Sequence, residues 1–175
     1  RHLKIPMKIE DAIRNINENH AVYIDTGLAN DKPFLGTGGY GFDAIIAKKF
    51  DLTNKRGFAG YAKLVIKEYR TFQPVLIEIE LPDQRRKEQI VLCSIANSSE
   101  FGNGFTISPQ SKITDGKMEL CIIRPFSYWK LPFIIFRFFT KTTHRSNYVE
   151  IIPFTKVRIY PENNLAHYDG EPFKV

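Results

Sequence analysis

The residues best placed to do chemistry gather between Cys93 and Leu120, in the run CSIANSSEFGNGFTISPQSKITDGKMEL. An apolar segment, Ile90 to Ala96, breaks at Asn97. A polar, glycine-bearing loop follows with Ser98, Ser99, Glu100, Gly102, Asn103 and Gly104. Pro109 comes next, then Asp115-Gly116, which opens an alternating segment from Met118 to Ile123. Two strands thereby bracket a long loop whose hydroxyl, amide and carboxylate groups can hold a ligand or an ion. Asp-Gly is a hairpin signal because both turn positions tolerate positive φ, so Asp115 taken alone is a turn residue. A second candidate is the glycine run Gly36, Gly38, Gly39 and Gly41 ahead of Phe42 to Phe50. Backbone N–H groups of a glycine-rich loop before a helix can cradle phosphate. Neither a dinucleotide fingerprint nor a Walker-type Lys-Ser/Thr is present, which weakens a nucleotide role for this run.

Composition narrows the partners. At 175 residues the chain is one compact unit, long enough to bury about 70% of its unfolded surface. Cys93 and Cys121 each lie in an apolar strand pattern, where a reduced thiol behaves as a small hydrophobe. This usage points to a reducing cytoplasm and leaves open a bridge between neighbouring strands. Residues 1 to 20 mix charged and apolar groups without the basic-then-apolar pattern of a secretory signal, and a chain starting on Arg1 reads as a fragment. The net charge of +6 and pI near 9.3 fit nucleic acid, a phosphorylated substrate or an acidic membrane surface. Nucleic acid is disfavoured, since there is no arginine-rich helix, RNP-like aromatic pair or zinc spacing. The histidines His2, His20, His144 and His167 have no metal-ligand spacing.

The elements that must carry these residues follow from periodicity. Glu10 to Asn17 reads as an amphipathic helix with Ile9, Ala12, Ile13 and Ile16 at helical spacing. Alternation from Ala21 to Asp25, a turn through Asn30 to Lys32 and Pro33 to Thr37 predict a hairpin. Phe42 to Phe50 and Lys55 to Phe72 predict helices, the second stopped by Pro74. Val75 to Leu81 and Gln89 to Ala96 predict a hairpin whose charged turn, Pro82 to Glu88, exposes Arg85, Arg86 and Lys87. Phe126 to Thr140 is the most apolar stretch, too short to cross a bilayer, which needs about 20 residues. It is either a helix buried on a sheet or an interfacial element with Trp129, Phe133, Phe136 and Phe139 toward lipid and Lys130, Arg137, Lys141 and Arg145 toward headgroups. Tyr148 to Phe154, Lys156 to Tyr160 and a hairpin at Asp169-Gly170 complete a mainly β (α+β) reading: an antiparallel β-sandwich with two or three added helices.

The order of strand, Asn97, glycine-bearing loop, Pro109, Asp115-Gly116 and strand resembles the second domain of the diacylglycerol kinase-like lipid kinases, the family of bacterial diacylglycerol kinases and of sphingosine and ceramide kinases. Gly39-Tyr40-Gly41-Phe42-Asp43-Ala44 and Tyr168-Asp169-Gly170-Glu171 fit the same template in the same order. The resemblance implies an enzyme that moves the γ-phosphoryl of ATP onto a lipid hydroxyl. In that family ATP is bound by a first domain carrying Gly-Gly-Asp-Gly, a motif this chain lacks, so the chain alone is expected to be inactive. Position in the Asp-Gly-Glu motif implies Glu171 as the base. A structural magnesium ion is implied beside Asp115, held also by the main-chain carbonyls of Lys112 and Lys117; such hard oxygen donors suit it. Gly41, Phe42 and Asp43, with Asn97 and Gly102, are implied to line the substrate cleft. Residues 1–20 become the seam between domains and 21–175 the lipid-binding domain, although the chain stops four residues after Glu171, where the family usually has another strand. Implied partners are a lipid substrate and, peripherally, an anionic membrane in the cytoplasm, with no nucleic acid and with a homodimer left open. Two alternatives stay open: a non-catalytic lipid-binding module, and a kinase of another acceptor such as a nucleotide, since NAD kinases share the two-domain architecture.

Overall fold

In the computed structural model, residues 3, 5–51, 58–102, 104–162 and 165–174 are described. Helix α1 (Ile9–Asn17) forms where the spacing predicts it, yet buries none of its residues; Ile9, Ile13 and Ile16 remain at the surface. The first hairpin lies further along than the alternation suggests. Strands β1 (Gly27–Ala29) and β2 (Lys32–Phe34) pair around Asn30 and Asp31. Those two residues sit at φ 49° and 68°, the left-handed pair that a tight hairpin requires, so the turn chemistry overrides the alternation at 21–25.

The glycine run is a strand, β3 (Thr37–Gly41), and not a loop. It leads directly into α2 (Phe42–Asp51), and α3 is Phe58–Tyr69; the beginning of the longer helix expected from Lys55 lies outside the described residues. Strands β4 (Val75–Leu81) and β5 (Gln84–Ile90) turn through Pro82-Asp83, with Leu81 opposite Gln84. Arg85, Arg86 and Lys87 are therefore strand residues, each facing an alternating partner on β4. Strand β6 (Leu92–Ala96) follows, then the short hairpin of β7 (Glu100–Gly102) and β8 (Phe105–Thr106), then β9 (Met118–Ile123). A 3-10 turn at Tyr128–Lys130 opens α4 (Leu131–Phe139). Strands β10 (Val149–Phe154), β11 (Arg158–Pro161), β12 (Leu165–Tyr168) and β13 (Glu171–Lys174) end the chain.

The main sheet has the order β10-β9-β6-β3-β12-β13, and a smaller one has the order β11-β4-β5. Neighbours are antiparallel throughout. Period two sorts the side chains of the main sheet onto two buried faces. Cys93, Leu120 and Ile122 point to the small sheet and pack with Ile77, Ile79, Leu81 and Ile90. Leu92, Cys121, Ile123 and Val149 point the other way, onto Phe42, Ile46, Val65, Tyr69, Leu131, Ile134 and Phe138 of the helices. The result is the expected antiparallel β-sandwich, with helices as a third layer. Both cysteines are free and buried and occupy opposite faces, which rules out a bridge between them; burial pushes both thiols well above their ordinary pKa.

Between β5 and β6 the chain passes from one sheet to the other at Val91, whose N–H donates to the Ile123 carbonyl and whose carbonyl accepts from Phe42, both at 2.8 Å. Beside this crossing Arg86 and Arg124 bridge Glu88 and Glu150, with Arg86 Nη2 2.8 Å from Glu150 Oε2. Removing one member of such a half-buried set leaves a charge uncompensated. Among the described residues no helix is long and apolar enough to cross a membrane.

Truncating Ile122 to Ala should cost about 3 kcal/mol in urea denaturation, because it opens a cavity between two sheets. Ile66→Ala on α3, where the side chain is 43% exposed, should cost well under about 1 kcal/mol.

Candidate functional site

The Asp-Gly-Glu motif forms a two-residue hairpin loop, with Tyr168 opposite Glu171 and with Asp169 and Gly170 at φ 48° and 87°. Asp169 is more than a turn residue. Its Oδ2 accepts the Leu35 N–H at 2.7 Å, and its Oδ1 accepts those of Gly36 and Thr37 at 2.7 and 3.1 Å. The Asp169 N–H returns a bond to the Thr37 carbonyl at 2.7 Å. A Cβ on Gly36 would lie 2.9 Å from Asp169 Oδ1, so glycine is what lets the carboxylate approach. With Asp169 committed to the backbone, Glu171 is left exposed at the start of β13. By register it shares a sheet face with Tyr168 and Gly38.

On the helix-covered face, His167 Nε2 meets Asp43 Oδ2 at 2.7 Å, the two side chains only 5% and 10% exposed. Asp43 stands in the first turn of α2, where the helix dipole favours a carboxylate, and its Oδ1 accepts the Ala44 N–H at 2.9 Å. Burial by itself lowers the His167 pKa, but the charge and hydrogen bond of Asp43, with the Asp169 charge behind them, outweigh it and hold the pKa above its ordinary value. Nδ1 of the same ring is buried without a protein partner among the described residues. Gly39, the register partner of His167, makes room for the pair, since a Cβ there would fall 2.7 Å from both Asp43 Oδ2 and the Cys93 carbonyl.

A third corner is built on Asn97, fully buried. Its amide nitrogen donates to the carbonyls of Asp25 and Leu35, both at 2.7 Å, and its main-chain N–H to that of Gly36 at 2.9 Å. Asp25 then reaches the Asp115-Gly116 turn: its Oδ2 accepts the Gly116 N–H at 2.8 Å, and its N–H donates to the Ile113 carbonyl at 2.8 Å. Asp115 Oδ1 accepts the Lys117 N–H at 3.2 Å. Nearby, burial pushes the Glu119 carboxyl above its usual range; the Ser111 hydroxyl it accepts from opposes that shift and the Asp115 charge adds to it. No group of three or more His, Cys, Asp and Glu side chains among the described residues could hold a metal. Two carboxylates at an exposed turn whose remaining donors are main-chain oxygens do fit a hard cation such as magnesium, with carbonyls of the flanking residues completing the set.

Leu35, Gly36 and Thr37 thus link the Asp169-Gly170-Glu171 hairpin, Asn97 and, through Asp25, the Asp115 turn. Lys112 and Lys117 flank that turn, exposed. The other positions lie elsewhere. Phe42 is in the core against Tyr69 and Phe72. Gly41, at φ 98°, admits no side chain because a Cβ would meet the Val91 carbonyl at 2.6 Å. Gly102 is exposed on the β7–β8 hairpin with open space around it. Sequence reasoning missed Asp25, His167 and the clamp made by Asp169. Their partners are 91, 124 and more than 130 residues away, and no local pattern encodes such distances.

Residues 36–174 match the family described as the YegS C-terminal NAD kinase beta sandwich-like domain. The chain belongs to this family. Among curated relatives, the probable lipid kinase YegS-like protein of Chromohalobacter salexigens is 26% identical over 97% of this chain and 56% of its own length. That of Pectobacterium atrosepticum is 23% identical, with the same coverage. The chain thus spans about half the length of the curated relatives it matches. Among solved structures, a diacylglycerol kinase-like protein from Bacillus anthracis superposes with a TM-score of 0.76 at 20% identity, over 99% of this chain and 58% of that one. A diacylglycerol kinase from the same organism gives 0.67 at 18% identity, over 97% and 54%. These likenesses establish the shared fold.

The His167 pair sets a pH dependence. A histidine pKa raised by folding gives stability that is complete below the unfolded value of about 6.5 and lost as pH rises through the folded value. Denaturation midpoints of the wild type should therefore fall across that window. In Asp43→Asn the two largest raising influences are lost and burial is opposed only by the Asp169 charge, so the fall should shrink, vanish or reverse.

Proposed function

We propose that this chain is the substrate domain of an ATP-dependent lipid kinase, in which a lipid hydroxyl of diacylglycerol type is phosphorylated and Glu171 is the base. The observation that carries this reading is the division of labour in the Asp-Gly-Glu hairpin. Asp169 is saturated by three backbone N–H groups, whereas Glu171, two residues on, is exposed. A base needs hydrogen-bond reach to the hydroxyl it deprotonates, and the exposure of Glu171, on a strand whose start is fixed by the turn and the clamp, supports that role. The names of the two curated relatives given above, each a probable lipid kinase YegS-like protein, support the same reaction class.

Phosphoryl transfer depends mainly on positioning and electrostatics, and this chain contributes the acceptor side. The Asp169 clamp holds the hairpin to Leu35–Thr37, and Asn97 holds that segment to Asp25. The Asp115 turn, with the carbonyls of Lys112 and Lys117, would hold magnesium as a structural ion that fixes the loop between β6 and β9. ATP belongs to a separate nucleotide domain. The glycine run supports that assignment, since it is a strand packed against Cys93 and Val91 and offers no phosphate loop.

In the full-length protein, Glu171→Gln should lower kcat by about 10²- to 10⁴-fold with little change in KM for lipid or ATP. Asp169→Asn weakens the grip on three N–H donors and should raise KM and lower the melting temperature while keeping much of kcat. A nearly fully active Glu171→Gln enzyme beside a correctly folded but dead Asp169→Asn enzyme would move the base to Asp169. Phosphorylation of a nucleotide acceptor in place of diacylglycerol would refute the lipid assignment. Magnesium titration should raise the melting temperature of the wild type and leave that of Asp115→Ala unchanged, because a ligand that binds only the native state stabilises it.

A further inference from the structure

Apart from Arg137 the helix α4 is apolar on all sides, as a helix buried all round would be, yet only half of it is covered. Leu131, Ile134 and Phe138 enter the core. On the outer side Trp129, Phe133 and Phe136 are 86%, 69% and 63% exposed, and Phe139 stands beside them. The 3-10 turn that precedes the helix adds Tyr128, stacked edge-on against Trp129. The segment that carries this patch has charge of one sign, and the carboxylate of Glu100 reaches the patch from outside, 3.9 Å from Lys141 Nζ. Residues 120–149 contain no Asp or Glu, whereas Lys130, Arg137, Lys141 and Arg145 are all basic. Lys130, Lys141 and Arg145 are exposed; Arg137 is partly turned in, donating to the Thr142 carbonyl at 3.2 Å.

Taken together, exposed aromatic rings rimmed by cations point to one occupant. We propose that the outer face of α4 docks this protein on an anionic lipid surface. The rings of Trp129, Phe133 and Phe136 enter the boundary between headgroups and acyl chains, while Lys130, Lys141 and Arg145 meet lipid phosphates. Indole and phenyl rings on one side of a short helix with basic flanks are the pattern of interfacial helices, and anionic lipid attracts each nearby cation. A second copy of the chain fits less well. A two-fold interface brings each patch onto itself, so Lys130, Lys141 and Arg145 would face their own images. The docking surface rests on α4 and its charges and not on catalysis, so vesicle binding without kinase activity would count against the proposed function alone.

Trp129 is the only tryptophan of the chain and reports directly on the patch. The full chain is mixed with vesicles of phosphatidylcholine alone and with vesicles in which a third of the lipid is phosphatidylglycerol. Trp129 emission should shift to the blue, and co-sedimentation should favour the anionic vesicles by about tenfold or more at low salt, a preference that high salt removes. Phe133→Ser combined with Phe136→Ser, both at exposed positions and checked for an unchanged melting temperature, should abolish binding. Lys141→Glu combined with Arg145→Glu should remove the anionic preference. Equal partitioning to both vesicles, unchanged binding by the Phe double variant, or a concentration-dependent dimer that this variant dissociates would each overturn the proposal.

Discussion

Everything near the candidate site depends on how three consecutive backbone N–H groups, those of Leu35, Gly36 and Thr37, are satisfied. Thr37 is buried and Leu35 lies at the surface, and all three donors find a single carboxylate, Asp169, from the far end of the chain. Carbonyls of the same segment are taken by Asn97. A carboxylate gripping several N–H groups makes charge-assisted bonds, stronger than those between neutral partners. Gly36 is the counterpart of that grip, because any side chain there would strike it. The position of Glu171 is thus inherited from bonds in which Glu171 takes no part.

The layers behind the site serve the same end. A main sheet buried on both faces needs apolar residues on both, and Cys93 with Ile122 and Leu92 with Ile123 supply them in register. Its central strand β3 is mostly glycine for a steric reason. Asp43 crosses above Gly39 to reach His167, and Gly41 turns into α2 hard against the Val91 carbonyl. The same three layers leave the outer side of α4 uncovered.

Much of the fold was legible. The alternation of Val75 to Leu81 and of Met118 to Ile123, the helical spacing around Val65 and Tyr69, and the two Asp-Gly turns are local signals, and the corresponding elements stand where expected. Errors arose where a local pattern competed with a non-local partner. The glycines at 36–41 read as a loop because glycine disfavours strands in isolation, yet pairing with β6 and β12 on both edges holds Gly38 and Gly39 in a strand. Arg85, Arg86 and Lys87 read as a turn by charge, but opposed glutamates on β4 and β10 make strand positions of them. At the site, motif spacing located Asp43, Asn97, Asp115 and Asp169, while what each side chain touches required the folded chain.

The order of strands in the main sheet also bears on how the protein is made. Strand β3 is flanked by β6 and by β12, the latter formed by residues 165–168, more than 120 positions downstream. While a ribosome is still making the intervening segments, β3 holds one edge paired and the other bare, and the amides at 35–37 wait on an aspartate not yet synthesised. Long-range pairing of this kind slows folding, and a bare sheet edge invites pairing with other chains. The glycine content of β3 is then a protection as well as a steric need, for a strand so poor in side chains makes a weak template for aggregation.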